Sequence, residues 1–190
     1  MRKPFYRYLA LSLIALAACG SDPVSYSQPV GIELKAKSGD TVNNVVTNDK
    51  EINTESGNPY GAFVSDARGK IGGDPSRITV DHVELLLGAG STGVTTLGEI
   101  FLGNVDLLFE VSDTNDTFTV GSVAMDAQTG SGPVGVDTTF DTADGTNDAD
   151  FAKMLNGSFK VVLRGNAAVG FTTKGADANV QATFTFAAFE

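Results

Sequence analysis

The 190-residue chain has no tryptophan, one cysteine, one histidine, and only 13 lysines and arginines against 23 aspartates and glutamates. Each scarcity excludes something. With Cys19 as the only cysteine, no disulfide can form within the chain, so stability has to come from an ordinary packed core. With His82 as the only histidine, no multi-histidine metal site can assemble. The formal charge of -10 argues against nucleic acid, which is bound by cationic side chains that displace counterions. It argues equally against a peripheral grip on anionic lipid. No apolar run reaches the roughly 20 residues that a helix needs to span a bilayer core.

The apolar run from Tyr8 to Ala18 follows Arg2, Lys3 and Arg7 and precedes Cys19, Gly20, Ser21 and Asp22. Positive residues, a short apolar stretch and then small residues are the order of a secretory signal. Where an ordinary signal ends in a small-x-small cleavage site, this one ends in Leu16-Ala17-Ala18-Cys19, which resembles the lipobox of bacterial lipoproteins at each position. The resemblance covers the first twenty or so residues. It implies a diacylglycerol thioether on Cys19, cleavage before that residue, and a further acyl chain on the new amino terminus. Each buried methylene contributes about 0.8 kcal/mol, so two or three chains hold where one is marginal. Gly20, in place of an aspartate directly after the cysteine, resembles the pattern sorted to the outer membrane in enterobacteria. Loss of residues 1 to 18 removes three basic residues and no acidic ones, leaving 10 against 23, a formal charge of -13.

Residues 19 to 29 are small, polar and proline-bearing, which reads as a tether. From Val30 to Glu190 a single domain is expected, and its dominant pattern is alternation. Val30, Ile32, Leu34 and Ala36 fall on one side with Glu33, Lys35 and Lys37 opposite. Phe101, Val105, Leu107, Phe109 and Val111 keep one parity across Gly103. Phe159, Val161 and Leu163, then Val180, Ala182, Phe184 and Phe186, repeat the period of two. Between Ile78 and Leu87 the apolar parity changes near Asp81 and His82, as a bulge would require. Short strands punctuated by Gly, Asp, Asn, Thr and Ser predict an all-β, antiparallel β-sandwich. Residues 53 to 61 and 65 to 77 read as loops. One short helix is expected over 149 to 155, capped by Asp148 and stopped at Asn156-Gly157. The aromatic, alternating C-terminal VQATFTFAAFE is similar to the last strand of an outer-membrane barrel. However, the charges on outward faces leave no lipid-facing band.

Candidate chemistry is sparse. Gly88 to Gly93 matches GxGxxG, but Val94-Thr95-Thr96-Leu97-Gly98 follows where a helix N-terminus would have to meet a pyrophosphate. The segment therefore reads as a strand connection. Asp141, Asp144, Asp148 and Asp150, with Gly145 among them, form the most acidic loop and are the candidate calcium ligands. EF-hand spacing fails, since aligning Gly145 with the invariant glycine puts Phe140 at the first ligand position, and a capped, solvated loop explains the same residues. Asp113, Asn115 and Asp116 read as turn residues.

His82, between Asp81 and Glu84, reads as a surface or edge residue, and there is no GxSxG elbow. A hydrolase would have to use His82 or a carboxylate pair. Most phenylalanines sit at core parity, leaving Tyr26 in the tether and Tyr60 in a loop as the aromatics available to a partner. These observations together predict a lipid-anchored envelope protein that acts as a structural or accessory component by protein contact. A calcium- or glycan-binding surface module is the alternative.

Overall fold

The computed structural model describes residues 24–114 and 116–190, so Cys19 and Asn115 lie outside the described residues. Eight strands follow in chain order: β1 (Ser25–Lys37), β2 (Val45–Ile52), β3 (Arg77–Leu87), β4 (Phe101–Val111), β5 (Thr117–Met125), β6 (Val134–Thr138), β7 (Phe159–Ala167) and β8 (Asp177–Phe189). Two helices, α1 (Pro59–Ile71) and α2 (Asp148–Leu155), complete the chain. Every strand pair is antiparallel, in the order β1-β8-β3-β6-β5-β4-β7-β2.

The all-β, antiparallel expectation holds, and the two facing layers are joined into one curled sheet. Phe109 on β4 meets Phe184 and Phe186 on β8 with ring centroids 5.9 and 6.0 Å apart, so the layers pack face to face. Short β6 links them on one side, through three residue pairs to β3 and two to β5. On the other side β1 approaches β2 without a ladder, and the Lys35 amide donates instead to Asn48 Oδ1 at 2.8 Å.

Because a strand residue points its N–H and C=O to the same side, this contact sets the odd-numbered residues of β1 facing the seam. Pro29 shares that parity, so the residue with no N–H occupies a position where an N–H would have no ladder partner. Exposed Glu33, Lys35 and Lys37 charge the same edge, which discourages pairing with a foreign strand.

Alternation places the core. Val30, Ile32, Leu34 and Ala36 of β1, Val105, Leu107, Phe109 and Val111 of β4, and Val180, Ala182, Phe184 and Phe186 of β8 are all buried. The predicted bulge is present, with β3 shifting register against β8 between Val80 and His82. Phe109 is the hub of the aromatic interior, packing against Phe140 at 4.9 Å and Phe159 at 5.0 Å. The interstice left among Tyr60, Ile78, Phe109, Phe140, Met154 and Phe186 admits no water-sized sphere. The interior is therefore filled rather than hollow, as in small barrels whose inward side chains meet.

Three local expectations need correction. Ser25 to Pro29 belong to β1, paired with Thr185 to Phe189, so the tether inferred over 19 to 29 gives way to strand at Ser25. Backbone pairing outweighs the polar composition that suggested a linker.

Second, residues 59 to 71, assigned largely to loops, form α1. Asn58 Oδ1 accepts from the Tyr60 amide, Pro59 fills the first turn, and Gly72 ends the helix at φ 87°. Tyr60, Phe63, Val64 and Ala67, at helical spacing, turn inward. Gly61 is required because a Cβ there would sit 2.9 Å from the Thr54 backbone.

Third, the cap of α2 is Asn147 rather than Asp148. Its Oδ1 accepts from the Ala149 and Asp150 amides, each at 3.0 Å. The stop at Asn156 and Gly157 is as expected, with Gly157 at φ 65°.

The connections alternate between two ends. Residues 53–76, 112–114 and 139–158, which include both helices, lie at one end. Residues 38–44, 88–100, 126–133 and 168–176 lie at the other. Tyr60 Oη ties the helices together by donating to the Met154 carbonyl at 3.0 Å, and burial pushes the Tyr60 phenol above its ordinary range.

Candidate functional site

The residues singled out by sequence are dispersed. Asp141 receives both guanidinium arms of Arg77, with Nε to Oδ1 at 2.8 Å, and its Oδ1 also accepts from the Ala143 amide at 2.9 Å. The hydrogen bond from Arg77 holds the Asp141 carboxyl below its ordinary range. Asp150 is fully buried and accepts from Asn147 Nδ2 at 2.7 Å and Thr114 Oγ1 at 3.2 Å. Asp144 and Asp148 are exposed. Among the described residues no group of three or more His, Cys, Asp or Glu side chains is gathered as a metal site would need.

His82 is half exposed, with Nε2 at 3.3 Å from Glu84 Oε1. Gly88 to Gly93 connect β3 to a short turn, and Thr92 bridges to Asp177. The two tyrosines expected to be available are engaged. Tyr60 is buried within α1, and Tyr26 stacks on Phe63 while donating to Gln28 Oε1 at 2.9 Å. A helix occupying the presumed loop, and a strand occupying the presumed tether, account for both corrections. Asp113 is a turn residue as read, at φ 68°.

A constellation that sequence reading missed lies on the outer face of β2, β7 and β4. Register sets Thr47, Arg164 and Asp106 side by side across the three strands, with Asp49, Val162 and Leu108 forming the next outward row. Val45 lies opposite Asn166. Between Phe101 and Val105, β4 carries more residues than β7 opposite it, and Gly103 takes φ 81° to accommodate the excess. Exposed Leu102 and Asn104 flank Gly103 in this irregularity, and Asn104 borders a hollow beside it.

Two adjoining hollows result. One, of about 370 Å³, is lined by Val45, Asn104, Asp106, Arg164, Gly165 and Asn166. The other, of about 470 Å³, reaches from Arg164 and Val45 over Val162 and Leu108 to Thr47 and Glu110. Both sizes fall within the roughly 300–1,000 Å³ of small-ligand sites.

Arg164 sits at the junction of the two hollows. Arg68 pairs with Asp74 and Arg77 with Asp141, but among the described residues Arg164 has no carboxylate within ion-pair distance. This holds although Asp106 occupies the facing cross-strand position. The sequence signal was weak: Asp106 and Arg164 were visible only as outward residues of separate strands, and register alone unites them.

No family model matches the chain, and no curated protein matches it.

Proposed function

We propose that this is a lipid-anchored protein of the bacterial envelope that works by contact rather than by turning over a substrate. The observation that carries the reading is the Leu16-Ala17-Ala18-Cys19 lipobox behind a short, positively flanked apolar run. Gly20 after the cysteine favours the outer membrane as the destination. The domain acts as a structural or accessory component, held close to the bilayer. Gly20 to Val24 reach at most roughly 17 Å at the extended rise per residue, and β1 begins at Ser25. The end of the barrel bearing both helices then faces the anchor, and the outer hollows around Arg164 are free to meet a partner. The filled interior supports a surface role over a carrier role, since the phenylalanines occupy the space a cargo would need.

Metabolic labelling with palmitate, followed by membrane fractionation, tests the anchor. The wild-type protein is expected to carry label and sediment with the outer membrane. Cys19→Ala is expected to lose the label and remain as uncleaved precursor. A wild-type protein that is unlabelled and soluble would sink the proposal.

A further inference from the structure

We infer that the double hollow on the outer face of β2, β7 and β4 is a binding site for a neutral saccharide, recognised through its hydroxyl groups. The inference takes the contact-making envelope protein as its premise and names the class of partner. Four polar side chains converge there: Arg164, Asp106, Asn104 and Asn166 line one hollow, and none makes a side-chain hydrogen bond or ion pair within the described residues. On the same outer face Lys160 pairs with Asp49, a residue of the next row, whereas Arg164 and Asp106 face each other across the strands without pairing.

The mixture selects the ligand. Asp106, with Glu110 in the second hollow, repels a polyanion, while Arg164 at the junction repels a cation. Carboxylates only accept, a guanidinium only donates, and the asparagine amides do both. A group that can donate to the first, accept from the second and do either with the third is a hydroxyl. Several such groups on a rigid ring would satisfy this set without burying a charge. The floor suits the rest of a sugar, because Val45, Val162 and Leu108 offer an aliphatic surface to its C–H face. Two hollows sharing Arg164 and Val45 match two linked rings better than one.

The test uses the mature, lipidated protein in an amine-oxide detergent, which contributes no sugar of its own. Amide resonances are followed during titration with cellobiose, maltose and chitobiose to tens of millimolar, and with an uncharged tetrapeptide as the competing class. Saturable shifts confined to Thr47, Asp106 and residues 164–166 are expected with at least one disaccharide. Binding should weaken at least about tenfold in Arg164→Ala, as expected when a charge-assisted hydrogen bond is lost. Asn166→Ala should weaken it as well, and both exposed substitutions should leave the melting temperature unchanged.

The inference is overturned by no shift with any disaccharide, by shifts that survive both substitutions, or by shifts with the peptide alone. Palmitate labelling reads the anchor independently, so either idea can fail without the other.

Discussion

Replacing Phe109 by alanine examines the claim on which the surface reading leans, that the barrel interior is solid. Phe109 is 1% exposed, and four other phenylalanine rings lie within 6.0 Å of its centroid, from Phe140 at 4.9 Å outward. These neighbours come from both layers and from the 139–158 connection, so no single element can move in to fill the gap. Truncation should cost about 3–5 kcal/mol, at the upper end because the site is held from several sides. For a domain of this size each kcal/mol shifts the midpoint by about 2–4 °C, so the melting temperature should fall by about 6–20 °C.

Far-UV circular dichroism is the suitable probe, since there is no tryptophan to follow by fluorescence. Urea melts on the same samples should show a lowered midpoint and an unchanged slope. Benzene should partly restore the variant and leave the wild type unaffected, as a dry apolar cavity would. Leu86→Ala, at a 40% exposed position, is the control and should stay within about 0.5 kcal/mol of wild type. A loss below about 1 kcal/mol in Phe109→Ala would refute the packed interior and reopen the carrier function.

Lys174 Nζ at 2.8 Å and the Thr95 amide at 2.6 Å hold the Glu99 carboxyl at about 2, below its ordinary 4.5. A carboxylate depressed in the folded state stabilises above its unfolded value, and that contribution is lost as pH falls from 4.5 toward 2. Glu99→Gln should therefore melt below wild type at neutral pH and converge with it at the acid end. A gap that persists to the acid end would assign the effect to packing instead. Millimolar calcium should leave the melting temperature unchanged, because Arg77 occupies both oxygens of Asp141 and Asp150 is spent on Asn147 and Thr114. A saturable rise would restore the acidic loop as a metal site.

Strands β1, β4, β7 and β8 were legible because alternate residues are buried along them, and in β3 the alternation resumes on the other parity after the bulge at His82; β2 and β5, whose burial does not alternate, gave no such pattern. Helix α1 was not legible. Its apolar residues form a narrow stripe among Gly57, Gly61, Gly69 and Gly72, which read as loop punctuation. Two of those glycines instead serve the helix, Gly61 by allowing close approach to Thr54 and Gly72 by ending it. The Asn147 cap was displaced by one residue because Asp148 is an equally good capping type, and only the geometry of the first turn separates them. The Arg164 site was invisible for a different reason. Asn104 and Asp106 belong to one strand, Arg164 and Asn166 to another, and their proximity depends on an antiparallel register that no local pattern encodes.

The pairing of β1 with β8 bears on when the domain can fold. The first described strand zips along its whole length onto the last, and the Glu190 amide closes on the Val24 carbonyl at 3.0 Å. A chain emerging N-terminus first cannot complete this sheet until residues 177–189 have arrived, because β1 has only the partial seam with β2 on its other side. Contacts so distant in sequence form slowly, since the loop between them must be closed before pairing offsets its entropy. Under the proposed export this order would matter: a chain threaded unfolded through a membrane channel would be kept from premature closure by topology until residues 177–189 had crossed.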